Sequence, residues 1–231
     1  MTHKRIYIVV VLFAISSMLL AQPRLDKAEI SLGIHGGVKA STMLFNPSVK
    51  PLNILQSPLS PNGGLVFRYA EHKVCALQIE CNYAQHGWTE VYGSTGTNQA
   101  IYTRRLHYVQ IPFLMHLGFG KKNFKAFFNL GPQIGYCIAD QYTLSSQGSV
   151  QLNNHQHAEM DNPFDWGAAA GLGCYYKSKK AGVFQLEARF NFSLGGVFDV
   201  GQLEYFKMAN PMGLSINLGY LWNFKNNKIN K

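Results

Sequence analysis

Charged side chains are scarce in this sequence, because only 14% of its 231 residues are Asp, Glu, Lys or Arg. Soluble domains usually carry about 25%. Long apolar runs are scarce too: beyond residue 20, no stretch approaches the roughly 18 consecutive apolar residues that mark a membrane-spanning helix. An ordinary soluble domain and a helical membrane protein are therefore both disfavoured.

Cysteine is rare as well, and the four cysteines form neither a CxxC motif nor a zinc-ligand spacing. They are Cys75, Cys81, Cys137 and Cys174. Cys75 and Cys81 fall on one predicted strand, about 20 Å apart, whereas the Cα atoms of a disulfide lie within about 7 Å. We therefore predict unpaired cysteines that fill space as small apolar side chains.

The first residues have the pattern of a secretory signal peptide. Lys4 and Arg5 provide a positive start, an apolar run follows, and Ala21 offers a small residue for cleavage. The alternative is a single spanning helix, but about 15 apolar residues fall short of the roughly 20 that a span needs. No cysteine lies near the cleavage point, so a lipid anchor is not expected. We predict a signal peptide over 1–21 and one exported domain over 22–231.

What the sequence has in abundance is strict alternation between apolar residues and polar or small ones. In the last segment, Leu221 aside, the alternating sets are Leu214, Ile216, Leu218, Tyr220, Trp222, Phe224 and Gly213, Ser215, Asn217, Gly219, Asn223. In the segment before it, they are Phe184, Leu186, Ala188, Phe190, Phe192, Leu194 and Gln185, Glu187, Arg189, Asn191, Ser193. A helix would scatter these residues around its axis, whereas a strand separates them onto two faces.

Six earlier segments alternate in the same way, starting near residues 30, 64, 75, 102, 125 and 166. The longest, Tyr102 to Phe119, changes phase near Tyr108 and Val109, which predicts a β-bulge there. Together the segments predict an all-β protein with eight antiparallel strands between about 29 and 224. An even number of such strands is typical of an up-and-down barrel.

Alternation alone does not decide which face points outward, since a soluble barrel of the lipocalin type would hold the apolar face inside. Three features favour apolar residues outside: bulky rings oppose Gly, Ala and Ser, the polar face carries charges of both signs, and aromatic residues gather near strand ends. The last group is Tyr83, Trp88, Tyr102, Tyr136, Trp166, Tyr176, Tyr220 and Trp222. We therefore predict a transmembrane β-barrel in the outer membrane of a Gram-negative bacterium.

Connection lengths also favour this interpretation. Long connections over about 42–60, 89–101, 139–165 and 195–208 alternate with tight turns near 70–73, 120–123 and 177–181. Outer-membrane barrels combine long external loops with short periplasmic turns, so both termini are predicted to be periplasmic. The turns and the tail collect basic residues: Lys73, Lys121, Lys122, Lys177, Lys179, Lys180, Lys225, Lys228 and Lys231. The long loops collect acidic ones: Asp140, Glu159, Asp161, Asp165, Asp199 and Glu204.

Three segments carry a family resemblance: RRLHYVQIPF from Arg104, FNLGPQIGY from Phe128 and WGAAAGLG from Trp166. A strand containing LEARF and an aromatic closing strand follow them. In this order they resemble the PorT-like outer-membrane β-barrel proteins of Bacteroidota, over nearly the whole mature chain. The resemblance implies the barrel fold and an outer-membrane location. It also implies a link to type IX secretion, for which the protein that gives the family its name is needed, and it brings no catalytic residues.

Two residue sets in the third long loop are candidate sites. His155, His157 and Glu159 would share one side of an extended segment, and such groups suit Zn, Cu or Ni. A solvated loop is the simpler interpretation, so no metal site is predicted. The second set has the residue types of a surface hydrolase, but no motif that would position them. Its members are Ser145, Ser146, His155 and Asp161.

A third set consists of charged residues on the inward face of the predicted barrel. Its members are Arg68, Glu80, Glu187 and Arg189. Opposite charges in a narrow lumen can pair, which offsets the cost of taking them out of water. A structural charge network is the expected role, with a proton or ion path as the alternative.

The leading functional hypothesis is a small non-enzymatic barrel, a structural, scaffold or accessory component of an envelope or secretion assembly. The alternatives are an outer-membrane enzyme acting on lipid or protein at the cell surface and a soluble secreted carrier. No cofactor is predicted, and eight strands are too few for a large diffusion pore, which needs about 16. Expected partners are outer-membrane lipids and envelope or secretion-system proteins. Nucleic acid is not expected, because no segment interleaves basic and exposed aromatic residues.

Overall fold

The computed structural model describes residues 24–47, 54–56, 59–92, 100–120, 122–146, 162–178, 181–195 and 206–225. The predicted signal peptide therefore lies outside the described residues. No helix in the described ranges is long and apolar enough to cross a membrane.

Nine strands form in the described ranges. They are β1 (Arg24–Pro47), β2 (Ile54–Gln56), β3 (Ser60–His72), β4 (Cys75–Tyr92), β5 (Ala100–Phe119), β6 (Phe124–Ser146), β7 (Phe164–Ser178), β8 (Gly182–Ser193) and β9 (Phe206–Lys225). Eight of them close a ring in the order β1, β3, β4, β5, β6, β7, β8, β9 and back to β1, and every pairing is antiparallel. The short β2 pairs with β4 alone. The predicted eight-stranded up-and-down barrel is thus confirmed, with one added strand.

The barrel has two distinct ends. Short connections join β3 to β4, β5 to β6 and β7 to β8 at one end, which we call the turn end. The longer connections lie at the other, which we call the loop end. Ring closure gives each of the eight ring strands a partner on both sides, so their backbone groups are hydrogen-bonded without water, as a membrane requires.

Apolar side chains cover the outside of the ring, and most of the side chains that fill the inside are polar. In β8 the residues strictly alternate: Phe184, Leu186 and Phe190 are exposed, whereas Glu187 and Arg189 are buried. The same holds around the barrel for exposed Ile34, Phe67, Leu77, Phe113, Leu130, Leu172, Ile216 and Leu218. A soluble barrel would have the opposite arrangement, so the predicted outward apolar face is confirmed.

Several strands run past the boundaries predicted from the sequence. β1 continues to Pro47, β4 to Tyr92 and β6 to Ser146, so large parts of three predicted loops are strand instead. The physical reason is continued pairing: β1 stays hydrogen-bonded to β9, and β5 to both β4 and β6, up to these ends. Asp140 and Asp165, predicted to be loop acids, lie within β6 and β7.

The predicted β-bulge lies in β6 rather than in β5. Side chains of β5 alternate without interruption, with both Leu106 and Tyr108 buried. The β5–β6 register shifts between His107 and Tyr108, where His107 pairs with Ala139 and Tyr108 with Cys137. The extra residue of β6 shifts its later side chains to the other face. The apparent change of phase in β5 arises because its inward face becomes apolar there.

Two of the eight predicted belt aromatics point inward. Trp88 and Tyr102 are 3% and 1% exposed, so the prediction of an outer belt is wrong for them. Both lie near the loop end, where Trp88 Nε1 donates to Glu90 and the Tyr102 ring stacks on Tyr142. Exposed members of the group are Tyr83, Tyr136, Trp166, Tyr176 and Trp222. The four cysteines lie unpaired in β4, β6 and β7, as predicted, with Cys137 buried and Cys81 exposed on the outer face.

Candidate functional site: the charged interior of the barrel

Two opposite strands bring three charged side chains together inside the barrel. Arg189 on β8 donates from Nη2 to Glu80 Oε1 on β4 at 2.7 Å and to Glu187 Oε2 at 2.8 Å. All three residues are buried, with at most 4% exposure. One guanidinium thus satisfies two carboxylates through charge-assisted hydrogen bonds, the condition under which buried charges are tolerated.

Neutral side chains extend this central network to other strands. Asn82 donates to Glu80 at 2.7 Å, and Asn129 on β6 donates to Glu187 at 2.9 Å. On β1, His35 Nε2 lies 2.7 Å from Asn82 Oδ1. Side-chain hydrogen bonds therefore link β1, β4, β6 and β8 through the interior, although these strands are not neighbours in the ring.

Arg68 joins the same network through glutamine. Its Nε donates to Gln78 Oε1 and its Nη2 to Gln185 Oε1, both at 2.7 Å, and Gln78 donates to Glu80 at 2.5 Å. The four charged residues predicted to share the lumen therefore belong to one hydrogen-bonded system. Unlike Arg189, Arg68 reaches the carboxylates only through an amide.

A second polar layer lies toward the loop end. Lys39 Nζ donates to His86 Nε2 at 2.9 Å, and both side chains are almost fully buried. Asp165 accepts a hydrogen bond from Ser193 Oγ at 2.6 Å. No motif in the sequence singles out Lys39 and His86, although both occupy inward positions of their strands. Their alternating positions could have identified each residue as inward-facing, but not the contact between them.

An apolar layer crosses the interior near the turn end. Leu221, the exception to alternation in β9, is fully buried against Val66 and Val183, and Tyr175 packs against the cluster. Its inward position explains why an apolar residue interrupts the polar face. With the two polar layers, it fills the interior with side chains, as expected for eight strands.

The loop end carries a separate aromatic and charged cluster. Arg104 Nε donates to Asp140 Oδ1 at 3.0 Å, and its guanidinium carbon lies 5.7 Å from the centroid of the Trp88 ring. The Tyr102 and Tyr142 rings stack with centroids 6.1 Å apart.

This cluster lies beyond the apolar band. Tyr102 is 17 residues along β5 from Phe119 at the turn end, about 40 Å along the barrel axis, whereas the apolar band is about 25 Å tall. Burial raises the pKa of the Tyr102 phenol to about 12. The cluster therefore combines a protonated Tyr102 phenol with the Arg104–Asp140 ion pair.

Most residues of the two other candidate sets lie outside the part of the chain that the structure describes. His155, His157, Glu159 and Asp161 lie outside the described residues. Ser145 is exposed in β6 and pairs with Ile101 of β5. Among the residues that the structure describes, no group of three or more His, Cys, Asp or Glu could hold a metal ion.

Comparison with known proteins gives both a family and similar structures. Residues 20–199 match the family model of the outer membrane protein beta-barrel domain. No curated protein matches the chain. The chain is similar to the outer membrane protein OprG from Pseudomonas aeruginosa, with a TM-score of 0.46 and 14% identity, covering 85% of this chain and 96% of that chain. It is also similar to Ail of Yersinia pestis, with a TM-score of 0.37 and 12% identity, covering 85% and 99%.

The family match covers β1 to β8 and includes all four charged residues of the central network. Together with the closed ring and its apolar exterior, it assigns the protein to the outer membrane. Since the match spans well over half of the residues, the chain belongs to the outer membrane protein beta-barrel domain family.

Proposed function

We propose that this outer-membrane barrel is a non-enzymatic scaffold that presents its loop end to proteins of an envelope or secretion assembly. The proposal rests on the difference between an interior filled by side chains and strand ends that extend beyond the membrane. Hydrogen-bonded and apolar side chains fill the interior, while the strands continue past the apolar band. A filled barrel has little room for a solute, and paired strand extensions form a stiff surface.

The strands that extend past the apolar band form two groups. β1 and β9 remain paired as far as Pro47 and Phe206, and β5 pairs with β6 as far as Ala100 and Ser146. Among the described residues, β7 begins at Phe164 and β8 ends at Ser193, so these two strands extend less far than the strands of the two groups. Tyr142, 66% exposed, and Asp140, also exposed, lie on the taller side, where a protein partner can reach them.

A photo-crosslinker tests whether this surface meets proteins. We expect benzoyl-phenylalanine in place of Tyr142 to capture a defined protein on intact cells, identified by mass spectrometry. The matched control replaces Leu172, which is similarly exposed at 64% but faces the apolar band, and should capture lipid only. Equal protein capture at both positions, or none at Tyr142, would contradict the proposal.

The resemblance to PorT-like proteins of Bacteroidota makes type IX secretion the first assembly to compare with the captured protein. A non-enzymatic role is supported by the cluster chemistry, because Arg104 and Asp140 are engaged with each other and Tyr102 stays protonated. Purified protein should accordingly show no esterase or protease activity that depends on Ser145.

The proposed orientation places the turn end and both termini in the periplasm. It is supported by the short connections at that end and by the basic residues gathered there, including Lys73 and Lys122. A tag inserted within 151–157 should be labelled on intact cells, whereas a tag after Lys231 should be labelled only after permeabilisation. Labelling of the C-terminal tag alone on intact cells would reverse the orientation.

A further inference from the structure

We propose that the mouth of the barrel at the turn end is a binding site for a phosphate group. A cavity of about 230 Å³ opens there, several times the roughly 30 Å³ that one water molecule occupies in the liquid. Val183 and Tyr175, which belong to the apolar layer across the interior, line it. The cavity is therefore a pocket with an apolar wall, open at the turn end.

The charge of the lining favours an anion. Four cationic side chains line the cavity, namely Arg68, Lys73, Lys125 and Lys177. Glu29 is the one carboxylate among the described lining residues, and it is already engaged by Lys177, with Nζ 2.5 Å from Oε2. Arg68, Lys73 and Lys125 are left as the positive charges that face the cavity.

Arg68 is the buried cation of this site, and its side chain is held in a fixed position. It is 7% exposed, and its two hydrogen bonds at 2.7 Å go to the neutral side chains of Gln78 and Gln185. Those glutamines hold the guanidinium in place without neutralising it. His72, which also lines the cavity, has a buried Nδ1 without a hydrogen-bond partner among the described residues.

A phosphate group fits this arrangement better than a carboxylate. Its oxygens can accept hydrogen bonds from several directions, and it can carry up to two negative charges. The cations come from β3, the β3–β4 turn and β6, so they approach the cavity from different sides. Arginine combined with lysine is the usual protein chemistry for phosphate.

The test measures binding of inorganic phosphate by calorimetry to the full chain in phosphatidylcholine vesicles. We expect saturable binding that weakens about tenfold in Lys73→Gln/Lys125→Gln, because two charge contacts of a partly exposed site are lost. The matched control is Lys122→Gln, a lysine of the neighbouring turn outside the lining, which should bind as the unaltered protein does. A heat-modifiable gel band verifies that each variant folds.

A second arm identifies the source of the phosphate. If a lipid headgroup occupies the site, transferring the protein from phosphatidylcholine vesicles to phosphate-free maltoside micelles should raise the apparent affinity for inorganic phosphate. If a free phosphate compound is the ligand, that affinity should be unchanged. Absence of saturable binding, or equal affinity in the unaltered protein and in Lys73→Gln/Lys125→Gln, would overturn the proposal.

Discussion

Replacing Arg189 by Leu is expected to lower the free energy of unfolding by about 3–5 kcal/mol, although Leu is the more apolar residue. Arg189 donates hydrogen bonds to both Glu80 and Glu187, which are buried. Its removal leaves two carboxylates inside the barrel, with Arg68 held through an amide as the nearest remaining guanidinium of the network. Urea unfolding in lipid vesicles would measure the loss.

A charge-balancing variant separates lost charge compensation from lost packing. Arg189→Leu combined with Glu80→Gln removes one charge of each sign, so it should be more stable than Arg189→Leu alone. The recovery should be partial, since Glu187 still loses its guanidinium partner in the double variant. If the double variant is as unstable as the single one, packing rather than charge is the main contribution of Arg189.

Replacing Ile216 by Arg should cost about 2–4 kcal/mol, because the guanidinium would enter the middle of the apolar band. Ile216 is 56% exposed and pairs with Ala188. That pair lies midway between the Phe184–Tyr220 and Phe192–Met212 pairs. Unfolding in vesicles against Ile216→Leu, which keeps an apolar group, would give the difference.

A depth control uses the same strand and the same outward face. Phe224 is exposed near the turn end of β9, where an Arg should cost only about 0–1 kcal/mol. Equal losses for Ile216→Arg and Phe224→Arg would show that depth in the membrane does not govern the cost. The predicted position of the band along β9 would then be wrong.

The sequence by itself determined the strands and their faces. Period-two alternation in segments such as 184–194 and 213–224 is a local property, since neighbouring side chains of an extended chain must point to opposite sides. That Ile216 shares a face with Leu214 and Leu218, and Glu187 with Gln185 and Arg189, follows from the alternation alone. Alternating long and short connections likewise predicted the two different ends of the barrel.

Only the tertiary structure decided which inward groups meet. Glu80 and Arg189 are separated by 109 residues, and their contact depends on ring closure and on the register of every strand between them. The bulge in β6, the inward rings of Trp88 and Tyr102 and the pairing of Lys39 with His86 depend on the same long-range register. Local alternation assigns a side chain to a face but not to a level or a partner, because a strand can shift by two residues without changing its faces.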